Sequence, residues 1–103
     1  MKKLRRIVDH FNDEIEGVID YVGDSQTVKE ADPELAKAYM DMAKVECTHA
    51  QSLHTQYCRI VKELMAAEPE SKTLAAIFED QMQHMMRELA KAKAYLEVYG
   101  GGK

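Results

Sequence analysis

Apolar residues recur at steps of three and four along three stretches of this chain, the spacing of one buried face on an α-helix. The first stripe runs Ile7, Phe11, Glu14, Val18, Tyr21. The second begins after Pro33 and runs Leu35, Tyr39, Met42, Glu46, His49, Leu53, Ile60, Leu64. The third runs Leu74, Phe78, Met82, Met85, Leu89, Ala92, Leu96, Tyr99. Valine and isoleucine sit at helical spacing throughout, so no strand is expected and the fold class is all-α. The first helix is expected from about Lys2 to about Glu30, with Gly23 weakening it and Gly23 to Thr27 as an alternative break. Asp32 suits an N-cap, Pro33 the first helical position and Glu34 the positive end of the helix dipole. That second helix should reach about Ala66, and residues 68–71 make the next connection. The third helix should run from about Ser71 to Tyr99, where Gly100-Gly101-Gly102 stops it. Short connections predict antiparallel neighbours, and the first two helices form a long hairpin.

Two of these stripes contain ionisable residues where leucine belongs. Glu14 interrupts the first, and Glu46 and His49 interrupt the second. Burying an unpaired ion costs several kcal/mol even after relaxation, so such groups need partners. Glu46-Cys47-Thr48-His49 is a Glu-x-x-His motif, which puts both side chains on one helix face. Glu14 lies seventeen residues before Ala31, and Glu46 to His49 lie fourteen to seventeen after Asp32. At about 1.5 Å per residue these positions come level across the hairpin. Two carboxylates and an imidazole converging in one place suggest a metal. The bland readings are an internal Glu46–His49 pair in a helix core or at a wet interface, and Glu14 as part of a polar ridge with Asp13 and Glu16. Tyr21, seven residues after Glu14, reads either as core packing or as a phenol beside the metal centre.

Composition narrows the partners. The chain has 103 residues, one domain over 1–103. A core this small makes oligomerisation a reasonable expectation. With 14 basic and 18 acidic residues the formal net charge is -4, which argues against nucleic acid as the main partner. No signal peptide and no membrane-spanning apolar run are visible, so no membrane partner and a cytoplasmic location are expected. Cys47 and Cys58 lie about 16 Å apart along one helix, beyond disulfide reach. His10, His54 and His84 read as surface or interface residues, and the methionines as packing.

The spacing Glu-x6-Tyr followed by Glu-x-x-His, here Glu14, Tyr21, Glu46 and His49 with Ala50 after the histidine, resembles one half of the ferritin-like superfamily. Rubrerythrins and encapsulated ferritins are the nearest in pattern, and small ferritin-like proteins of phage and prophage genes are also similar. The resemblance covers roughly residues 10–65. It implies a carboxylate-bridged di-iron centre in a four-helix bundle, with Glu46 bridging, Glu14 and His49 as terminal ligands, and Tyr21 near the centre. Manganese or zinc suits the same donors. The chain departs from the full pattern in having one Glu-x-x-His; the third helix offers Glu79, Gln81, His84 and Glu88 without a second motif. A two-fold homodimer would supply the missing half. The implied reaction is oxidation of Fe(II) with oxygen or peroxide. No rubredoxin-like Cys-x-x-Cys pair is present. Two other functions fit the same residues: a helical interaction or assembly module without a working metal site, and a metal-sensing or metal-buffering protein without turnover.

Overall fold

The structure is a computed structural model and describes residues 2–100. It consists of three helices, α1 (Lys2–Val28), α2 (Pro33–Ala67) and α3 (Lys72–Tyr99), with no strand among the described residues. The starts of α2 and α3 follow from side-chain caps. Asp32 Oδ1 accepts the Leu35 N–H at 3.1 Å, and Ser71 Oγ accepts the Leu74 N–H at 3.3 Å. At the other end of α3 the Gly100 N–H donates to Leu96 O at 2.8 Å. The remainder of the expected glycine stop, Gly101 and Gly102, lies outside the described residues.

The weak point expected at Gly23 does not break α1, which runs through it to Val28. Tertiary contacts on either side outweigh the glycine's poor helix propensity. Val22 is fully buried, and the buried Ser25 hydroxyl donates to Ala36 O of α2 at 2.7 Å. Thr27 Oγ1 also donates back to Gly23 O at 3.0 Å. The Ser25 bond ties the end of α1 to the first turn of α2, so the hairpin closes tightly over Lys29 to Asp32.

α2 is antiparallel to both neighbours. Along α1 its residues pair as Ser25 with Ala36, Tyr21 with Tyr39 and Glu14 with His49. Along α3, Gly100 lies against Met40, Lys93 is near Cys47 and Glu79 is near Cys58. The molecule spans 58 × 22 × 15 Å. With three helices, one chain does not by itself make a four-helix bundle. Among the described residues no helix is long and apolar enough to cross a membrane.

Ile60 is buried as expected, with Leu53 and Leu64 packed partly buried against the core, but over the first half of α2 the buried face is not the stripe expected from its large residues. Ala36, Met40, Ala43, Cys47, Ala50, Tyr57, Ile60 and Val61 are buried. That line is turned by one residue from Leu35, Tyr39, Met42, Glu46, His49 and Leu53. Small side chains pack where helices approach closely, and alanine and cysteine are among the residues most often buried. They weigh little in a hydrophobic pattern, which is why the larger residues dominated it. The expected stripe instead forms a second apolar face, partly covered by α1 and otherwise open, with Leu35 and Met42 exposed. On α1, Phe11 and Val18 are fully buried as expected, and Leu4, Val22 and Ser25 join them. On α3, Phe78, Met85, Leu89 and Ala92 are buried, while Leu74 and Tyr99 at its ends are exposed. Both thiols are free, and burial pushes each above its ordinary pKa, so neither is poised as a nucleophile.

Candidate metal centre

Helical geometry assembles the site. Glu14 and Gly17 share one edge of α1, and Glu46 and His49 share the facing edge of α2, each pair three residues apart. The hairpin brings these edges level. His49 Nδ1 lies 3.2 Å from Glu14 Oε1 and 3.6 Å from Glu46 Oε2. One ligand atom from each of Glu14, Glu46 and His49 falls within 4.8 Å of the others. The cluster sits at the rim of the core. The Glu14 and Glu46 side chains are 22% and 26% exposed and that of His49 is 54% exposed, so the group opens to solvent.

The three groups do not satisfy one another. A single imidazole N–H faces two carboxylates and can donate to one of them. Glu14 Oε2 is buried and has no hydrogen-bond partner, a condition most buried polar atoms avoid. The Glu46 carboxyl is held above the ordinary carboxylate range, chiefly by its hydrogen bond with Glu14. Burial and the Glu14 charge push the same way, and His49 pulls against them. Two carboxylates this close repel each other, and a cation between them would relieve that repulsion.

A pH dependence follows from that raised pKa. The folded protein binds the Glu46 proton more tightly than the unfolded chain does, so stability falls as pH rises from the ordinary value of 4.5 through the folded value. In metal-free protein, Glu46→Gln is expected to flatten this limb of a melting-temperature profile. An unchanged slope in the variant would assign it to other groups.

Comparison with protein-family models, curated proteins and solved structures gives no match. The likeness to ferritin-like proteins therefore rests on the residues alone.

Of the other candidates, Tyr21 borders the cluster and the remaining histidines lie apart from it. Tyr21 is half-buried and stacks on Tyr39, with ring centroids 6.1 Å apart and planes 27° apart. It lines an open pocket of about 290 Å³ with Asp41, Met42, Val45 and Glu46. No hydrogen bond joins its hydroxyl to Glu14, Glu46 or His49, so it meets the site through the pocket wall. His54 Nε2 lies 3.6 Å from Cys58 Sγ, while His10 and His84 are exposed. Among the described residues no other three histidine, cysteine, aspartate or glutamate side chains converge this closely. Sequence reasoning missed Gly17. Its signal was a glycine inside a helix, three residues after Glu14, at a cost of about 1 kcal/mol relative to alanine.

Proposed function

We propose that this protein binds iron in a ferritin-like di-iron carboxylate centre shared by two copies of the chain, and oxidises Fe(II) with oxygen or peroxide. The strongest support is the buried, unpartnered Glu14 Oε2 beside two further donors, because a cation satisfies it and relieves the crowding with Glu46. Carboxylate and imidazole donors suit iron, manganese and zinc. Three donors are too few for two metals, and a two-fold copy doubles them to four carboxylates and two imidazoles.

The surroundings support a second copy. Leu35, Met42 and Val45 are exposed on the open side, in line with or beside His49. Docking two such hairpins face to face makes a four-helix bundle and takes these side chains out of water, at about 25 cal/mol per Å² of apolar surface. In this arrangement Glu14, Glu46 and His49 of both copies would hold the metal ions, with the stacked Tyr21 and Tyr39 nearby. Bound iron would supply the one-electron chemistry of the Fe(II)/Fe(III) couple, with oxygen or peroxide as the oxidant. The protein's residues fix the donors and exclude bulk water once the second copy is in place.

The test is elemental analysis after anaerobic reconstitution with Fe(II), together with the solution mass. About one iron per chain in an even-numbered assembly is expected. Well-folded protein that retains no iron would overturn the proposal. Oxygen consumption on adding Fe(II) then separates turnover from buffering. The exposed row of Leu35, Met42 and Val45 also favours a second reading, a metal-free interaction or assembly module. Dimerisation without retained metal would support it.

A further inference from the structure

Glycine inside a helix is unfavourable, so each one invites a reason. α1 contains two, Gly17 and Gly23. Their surroundings differ completely. A Cβ added at Gly23 would meet nothing within 4 Å. A Cβ added at Gly17 would run into Glu46 Oε1, and would lie 3.2 Å from Glu46 Cδ and 3.4 Å from Cγ. All three nearest atoms belong to one side chain, and that side chain is a candidate ligand.

The volume that any other residue would fill at position 17 is thus occupied by the Glu46 carboxyl. A distance of 3.2 Å is tighter than ordinary van der Waals contact, so added bulk must move something. The backbones of α1 and α2 are held by the core around Phe11, Val18, Ala43 and Ala50, all fully buried. Glu46 ends in a flexible, partly exposed carboxyl. Crowding therefore turns Glu46 outward and leaves the helices packed.

We infer that Gly17 is a positioning residue: its bare backbone forms a notch in α1 that seats the Glu46 carboxyl beside Glu14 and His49. Without the notch the Glu46 side chain points to solvent and the three donors no longer meet. The consequence for metal rests on the proposed function; the geometric part stands independently of it.

Gly17→Ala and Gly23→Ala make a matched pair, since each removes one glycine from the same helix. Both are expected to fold and to melt at or above the wild-type temperature. Anaerobic calorimetric titration with Fe(II) should show at least about 10-fold weaker binding for Gly17→Ala, the scale seen when a ligand loses its support. Gly23→Ala should bind as wild type. A crystal structure of metal-free Gly17→Ala should show the Glu46 carboxylate outside the 4.8 Å cluster. Wild-type affinity with Glu46 unmoved would overturn the inference. If the wild type itself takes up no iron, the proposed function fails, and the metal-free structure alone decides: a displaced Glu46 upholds the notch and an unmoved one refutes it.

Discussion

Glu46→Ala is expected to reduce retained iron from about one per chain to background, with affinity falling at least about 100-fold. Glu46 is the residue whose loss damages the site most. Its carboxylate lies 3.6 Å from His49 Nδ1 and close enough to the Glu14 carboxyl for its own pKa to be raised. In a centre shared by two copies, one substitution would remove two carboxylates from each dimer. The fold should survive, because Glu46 is partly exposed and its proximity to Glu14 is unfavourable without a cation. Circular dichroism and thermal melting of the metal-free variant should therefore match or exceed wild type while the anaerobic titration with Fe(II) goes flat. Iron retained at the wild-type level would remove Glu46 from the ligand set. If the apolar face drives dimerisation by itself, the solution mass of the variant stays that of a dimer; if bound metal drives it, the mass falls to that of one chain.

Phe11→Ala is expected to lower stability by about 3–5 kcal/mol, the range for deleting a buried aromatic side chain. Phe11 is fully buried and heads the largest fully buried side chains of the molecule. It belongs to the one cluster that joins all three helices, with Val18 and Val22 of α1, Ala43 and Ala50 of α2, and Met85 and Leu89 of α3. Domains of this size are stable by about 5–15 kcal/mol, so the loss is a large part of the whole. A fall in melting temperature on the order of 20 °C should follow. The urea midpoint should drop with little change in slope if the native fold is kept. A loss below about 1 kcal/mol would contradict the packing described for Phe11. The site should suffer with the core, since Glu14 lies one turn beyond Phe11 and depends on the same hold of α1 against α2.

The two variants separate the layers of the molecule. Glu46→Ala acts on chemistry and spares packing; Phe11→Ala acts on packing and reaches the chemistry through it. Gly17 belongs to both, since its cost is paid in helix propensity and its effect appears at the Glu46 carboxyl.

Three helices, the cap at Asp32 and their antiparallel order were legible from local rules alone, whereas the Ser71 cap appears only in the structure. Capping and periodicity act over a few residues, and the chain states them directly. The meeting of Glu14 with Glu46 and His49 was legible for a related reason: in a tight hairpin, register follows from counting residues away from the turn. The rotation of α2 was not legible. Its Leu35, Met42 and Glu46 stripe and its Ala36, Ala43, Cys47 and Ala50 stripe are neighbours on the helix. Only the docking of α1 and α3 decided that the small residues go inside and the large ones stay near the rim. The continuity of α1 through Gly23 was decided in the same way, by the Ser25 bond to Ala36 across the hairpin. The notch at Gly17 is the clearest case. The sequence alone determined that a glycine stands in α1, but only the tertiary structure brought a Glu46 carboxyl from another helix into the space it leaves. Local preferences are properties of residues near one another in the chain, whereas the use of an empty volume depends on what packs against it.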